Sequence, residues 1–177
     1  MKRKAVRRKA PAKKAAARKA AKKVQAIPKG YNVVTPYLAV RGAAGAIEFY
    51  VKAFGAKEVM RMPGPGGKLG HAEVKVGDSK VMLSDESEAM NFLGPQARGG
   101  SPVHIHLYVQ DVDATVAKAL ALGAKMVREV QDMFYGDRTG SIEDPFGHFW
   151  HVSTHKRDVS PAEMKRRAAE MAKAAGG

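Results

Sequence analysis

The sequence predicts an α+β chain of two tandem βαβββ modules whose mixed sheets curl into one cupped, barrel-like surface. Three observations predict it. A strand-helix pattern recurs about 68 residues further along the chain, the two helices end in nearly the same letters, and each exit is followed by three more strand-like segments.

In module one, residues 31–95, Tyr37-Leu38-Ala39-Val40 reads as a strand. Ile47, Tyr50, Val51 and Phe54 then recur at helical spacing, and Gly55 stops that helix as a left-handed cap. In module two, residues 102–158, a strand over 104–109 precedes a helix over 112–122 with Val112, Val116, Ala119 and Leu120 on one face, capped by Gly123. The exits Gly55-Ala56-Lys57-Glu58-Val59 and Gly123-Ala124-Lys125-Met126-Val127 match closely. Strands over 59–62 and 127–130 follow, then hairpins pairing 70–76 with 80–84 and 138–143 with 149–154. Gly77-Asp78 and Pro145-Phe146-Gly147 supply the turns. A βαβββ module covers one sheet face with its helix and leaves the other for a partner. Two modules paired about a pseudo-twofold axis make a cup, which is where a ligand belongs.

Between and beyond the modules, residues 62–68 hold too many Gly and Pro for a strand and read as a mobile loop. Residues 86–102, with Met90, Phe92 and Leu93, form a linker suited to a lid or a subunit contact. Ser160-Pro161-Ala162-Glu163 opens a C-terminal helix within residues 159–177 in the manner of a capping box.

The charge is concentrated at the start. Residues 1–30 carry 13 Lys or Arg and no Asp or Glu, leaving 18 bases against 17 acids in the other 147 residues. This Lys/Ala-rich arm has too few apolar residues to bury and is expected to be disordered. It resembles the Lys/Ala/Pro tails of linker histones, so residues 1–29 are expected to hold nucleic acid non-specifically through phosphates, with steep salt dependence. No run approaches the length of a membrane span, and charges interrupt every candidate signal segment. A cytoplasmic protein without membrane partners is expected. The lack of Cys excludes disulfides and thiolate metal sites.

Taken in order, Ala46-Ile47-Glu48-Phe49-Tyr50 with Ala53-Phe54-Gly55-Ala56, Met82-Leu83-Ser84-Asp85, residues 109–113, and Asp144-Pro145-Phe146-Gly147-His148-Phe149-Trp150 resemble the vicinal oxygen chelate (VOC) superfamily. The match is to its glyoxalase/bleomycin resistance/dioxygenase type, PhnB-like branch, over residues 31–158. The resemblance implies the glyoxalase/bleomycin resistance fold, a homodimer, and four strand residues, two per module, facing into the cup around a divalent metal (Zn, Ni, Mn or Fe). The repeat places those positions at Thr35, Met82, His104 and His151. His104 and His151 are then the metal-binding candidates, with His151 at the place of the catalytic base, while Thr35, Met82 and His104 face the substrate. A hydroxyl and a thioether are poor ligands for such ions, so the implied metal site is atypical or absent. His71 would supply a third ligand only in a shifted register.

The function implied is small-molecule binding in the cup, with glyoxalase-like lyase or isomerase chemistry. The alternatives are a non-catalytic binder of the bleomycin-resistance kind and a binding module tethered to nucleic acid by the arm. Extradiol dioxygenase chemistry, which resembles a two-His, one-Glu site, lacks its Glu at all four positions. Among the remaining histidines, His106 is expected to look outward, off the His104 face. His148 is expected in a turn and His155 at a strand end on the surface, while Trp150 belongs to the core.

Overall fold

A computed structural model describes residues 24–175 of the chain. Most of the basic arm, residues 1–23, lies outside the described residues.

Module one runs β1 (Tyr37–Val40), α1 (Ala43–Phe54), β2 (Lys57–Pro63), β3 (Leu69–Val76) and β4 (Ser79–Asp85). After the short linker helix α2 (Pro95–Arg98), module two repeats the order with β5 (His104–Tyr108), α3 (Val112–Ala121), β6 (Lys125–Asp132), β7 (Asp137–Glu143) and β8 (Phe149–His155). Helix α4 (Pro161–Ala175) follows. The sheets have matching orders, β1-β4-β3-β2 and β5-β8-β7-β6, with the first pair parallel and the others antiparallel in each.

Local chemistry explains the helix ends. Gly55 takes φ 66° as the left-handed cap of α1, a conformation that a Cβ would oppose. At the other end of α1, Asp85 Oδ1 accepts from the backbone N–H groups of Gly42 and Ala43, each at 2.9 Å, while Oδ2 accepts from Leu69 at 2.7 Å. Burial opposes the charge on Asp85, yet these three donors outweigh it and hold the carboxyl below its usual range. In module two, Asp111 caps α3 through the N–H of Ala114 at 3.0 Å. Ser160 Oγ accepts from Glu163 N at 3.2 Å, the expected cap of α4.

The two helix-bearing faces share one core. Ile47 and Tyr50 of α1, Leu83, Ile142, Trp150 and Val152 from both sheets, and Val116 of α3 all belong to it. Phe54 meets Trp150 across the module boundary at 4.7 Å between ring centroids. Asp144, 3% exposed, ties the modules together. It accepts from Tyr50 Oη and Trp150 Nε1 at 2.9 Å each, and from the backbone N–H groups of Phe146 and His148 at 2.9 and 3.0 Å.

This packing corrects one expectation. The sheets do not close into a barrel: they remain two four-stranded sheets, with β1 and β5 as unpaired edges. The apolar faces are those under the helices, so burying them together turns the opposite face of each sheet outward. Two smaller differences follow the same physics. Strand β2 extends to Pro63, further than the Gly and Pro count suggested, and only Pro65–Gly67 forms a helical turn. Within the linker, Phe92 packs edge-on against Tyr37 of β1 at 5.1 Å.

Candidate functional site

Strand β5 alternates. Ile105 and Leu107 pack toward the core, so His104, His106 and Tyr108 stand on the open face. Parallel pairing with β8 sets His104 beside Phe149 and His106 beside His151. The His104 ring stacks on Phe149 at 4.8 Å, and its Nδ1 lies 2.9 Å from Nε2 of His151. One strand further in, Ser141 of β7 is the register partner of His151, and its Oγ lies 2.7 Å from His151 Nδ1. Both ring nitrogens of His151 are therefore engaged. Burial first, then the charges of His104, His106 and Arg128, push the His151 imidazole below its ordinary value. It is neutral at neutral pH and able to take a proton.

The open face of the first sheet has a different chemistry. Met82 of β4 lines a groove of about 360 Å³ with Thr35, Ile27, Pro28 and Tyr31. The Thr35 hydroxyl is spent on the carbonyl of Asn32, 3.1 Å away. Opposite Met82 in register stands Glu73 of β3, 3% exposed. It accepts from Tyr31 Oη and from Lys80 Nζ, the latter at 2.8 Å, with His71 Nε2 at 3.5 Å. Burial resists ionisation of Glu73, but Lys80, Tyr31 and His71 outweigh it and keep the carboxyl below its usual range. His71 Nδ1 also meets Tyr37 Oη at 2.9 Å, so that ring is committed to this cluster.

Between the edges β1 and β5 lies a cleft of about 1260 Å³, with Tyr37 and Ala39 on one wall, His104, His106 and Phe149 on the other, and Phe92 of the linker beside them. It lies between the modules, and of the four candidate positions His104 lines it while Thr35, Met82 and His151 do not.

The structure thus brings His104 to His151 and Thr35, just before β1, to Met82, but leaves the two pairs in different modules. Two imidazole nitrogens sharing one ion at about 2.0–2.1 Å would stand about 3 Å apart, so the His104–His151 spacing suits half a site. The other half does not fit: a committed hydroxyl and a thioether are weak donors for a hard or borderline ion. Among the described residues no three His, Asp or Glu side chains converge on one point.

Two histidines depart from expectation. His106 is exposed, as expected, but it stands on the His104 face rather than off it: residues two apart in a strand share a face, and its ring lies 6.1 Å from that of His151. His148 sits in its turn but is buried, with Nε2 3.2 Å from the carbonyl oxygen of Ala39. Burial lowers its pKa despite the nearby Asp144. His155 ends β8 as expected, and Asp137 and Asp158 hold its imidazolium, raising its pKa. Ser141 and Glu73, which sequence reasoning passed over, occupy equivalent places in the repeat, each beside a candidate position on the neighbouring strand. Aligning the third strand of each module would have found both.

A chain of paired βαβββ modules with a His pair on an open sheet face belongs, by class, with proteins that hold small molecules against the sheets of such modules. Residues 31–152 match the model of the Glyoxalase/Bleomycin resistance protein/Dioxygenase superfamily, and the chain belongs to that family. An uncharacterized protein of Mycobacterium tuberculosis is 45% identical over 135 residues, covering 75% of this chain and 79% of its own. The X-ray structure of an Arabidopsis thaliana gene product is similar at TM-score 0.58 and 29% identity, covering 70% of this chain and 98% of that one. The fosfomycin resistance protein FosX of Listeria monocytogenes, solved with Mn(II), shares the fold at TM-score 0.55 and 15% identity, over 77% of this chain and 97% of its own. No helix among the described residues is long and apolar enough to cross a membrane.

Proposed function

We propose that the chain binds a small molecule in the cleft between its modules and acts there as a glyoxalase-like lyase or isomerase, with His104 and His151 working as one base. The observation that carries this reading is the chain of contacts from His104 through His151 to Ser141. In one consistent proton arrangement, His151 Nδ1–H donates to Ser141 Oγ, and His151 Nε2 accepts from His104 Nδ1–H. His104 Nε2 is then free to take a proton from a carbon next to a ligand carbonyl. As it does so, the Nδ1 proton passes to His151, which stores it for return to the adjacent carbon. The lowered pKa of His151 keeps that imidazole neutral and able to accept at neutral pH. The four-position donor set does not fit a metal, and the His104–His151 pair can move the proton by itself.

The reading is tested with the glutathione hemithioacetal of methylglyoxal. His151→Ala is expected to lower turnover by about 100-fold or more, the usual worth of a positioned base, and unchanged turnover would overturn it. A binding protein without catalysis is the second reading, favoured by the weak donors Thr35 and Met82. It predicts saturable ligand binding that His104→Ala weakens, with no turnover by the parent chain. A homodimer accompanies either reading, since a second copy would cover the outward sheet faces and the exposed Met60 and Met62 of edge strand β2.

A further inference from the structure

Arg128 of β6 is the register partner of Ser141, which pairs in turn with His151, itself the partner of His106. Four side chains thus form one row across the open face of the second sheet. Register shifts flank Arg128 on both sides, and such bulges re-aim a side chain that regular pairing would point elsewhere. Its Nε is buried and has no hydrogen-bond partner among the described residues. The contrast with Arg138 on the neighbouring strand is direct, since that guanidinium is satisfied by Asp113 and Asp132. The nearest acids on this face do not serve Arg128: Asp137 is committed to His155 and Tyr108, and Glu143 lies one row away beside Phe149.

A guanidinium stays charged at any physiological pH and presents a planar fork of donors that matches an oxyanion. A buried donor left unsatisfied within the protein needs an explanation, and an ion from outside it is one. We propose that Arg128 docks an oxyanion of the ligand, a carboxylate or a phosphoryl group, and so lays the rest of that molecule across His151 toward His104. The substrate class for the reading above is then an extended organic acid whose anionic group, at β6, lies three strands from the carbon that His104 of β5 deprotonates. The inference rests on that reading for its consequence, but Arg128 can be tested without turnover.

The test follows the side-chain Nε–H resonance of Arg128 and the imidazole resonances of His151 in the full chain. Sodium acetate and sodium phosphate are titrated separately against sodium chloride at constant ionic strength. Residue-specific signals separate this site from phosphate held by the basic arm. Saturable shifts with acetate identify a carboxylate site and with phosphate a phosphoryl site, whereas shifts that match chloride in both titrations overturn the proposal. Arg128→Lys keeps the charge but loses the fork and is expected to weaken binding by about 10-fold. Arg128→Met is expected to abolish the His151 shifts while raising the thermal midpoint by about 2–5 °C, because it removes an unsatisfied buried donor. A midpoint lowered by a similar amount would mean that Arg128 serves the fold alone and would also overturn the proposal. Saturable oxyanion binding in a chain with no turnover supports Arg128 and removes only the catalytic reading.

Discussion

Asp144 is the residue on which the join between the modules depends most, and its replacement has a calculable cost. Asp144→Ala removes the acceptor for Tyr50 Oη and Trp150 Nε1, both in the core, as well as for two turn N–H groups. A buried donor stranded without a partner costs about 1–3 kcal/mol, so the two side-chain donors alone predict a loss of about 2–6 kcal/mol. Against a typical total of about 5–15 kcal/mol, that is a large share. Tyr50→Phe in the parent chain removes one hydrogen bond to a carboxylate, at about 1.5–3 kcal/mol. In the Asp144→Ala background the same change instead removes an orphaned hydroxyl and should cost close to nothing. The two replacements are therefore expected to couple by about 1.5–3 kcal/mol in a double-mutant cycle. Urea unfolding monitored through Trp150, the sole Trp, reads the site directly. Effects that add to within about 0.5 kcal/mol would refute the argument that Asp144 and Tyr50 form one charged, buried link.

Gly94→Ala would place a Cβ 2.5 Å from the carbonyl oxygen of Ala39 and 3.1 Å from Glu86 Oε1. The first is backbone of β1 and cannot give way, so a loss of about 1–3 kcal/mol is expected in urea unfolding, and parental stability would count against the close approach. His151 has a folded pKa below its unfolded value of about 6.5. Its contribution is therefore complete above that pH and lost as pH falls through it toward the folded value. His155, with a raised pKa, acts in the opposite sense: its contribution is present below about 6.5 and is lost as pH rises through the folded value. The difference between the parent and His151→Gln in urea midpoints from pH 5 to 8 isolates the first effect. It should grow with pH, and a flat difference would contradict the shift.

The repeat was legible from local signals because each signal depends on neighbouring residues alone. Gly55 and Gly123 sit where a chain must turn left-handed, with φ of 66° and 97°. Helical spacing named Ile47, Tyr50, Val116 and Ala119, all now in the core. The same repeat aimed His104 and His151 at one place, and they meet diagonally, since parallel pairing sets His104 beside Phe149 and His151 beside His106. His106 was misplaced by a counting of faces that strand alternation itself corrects.

What local pattern could not supply was the partner of each face. The sequence by itself determined two βαβββ modules, their order and the residues each helix would bury, because periodicity and turn chemistry act over a few residues. Only the tertiary structure decided that the two helix-bearing faces meet in one core around Asp144, so the candidate pairs stay apart in separate modules. It also decided that register shifts on either side set Arg128 opposite Ser141. Both outcomes depend on packing and register between segments distant in the chain, where burial free energy and hydrogen-bond satisfaction are settled jointly.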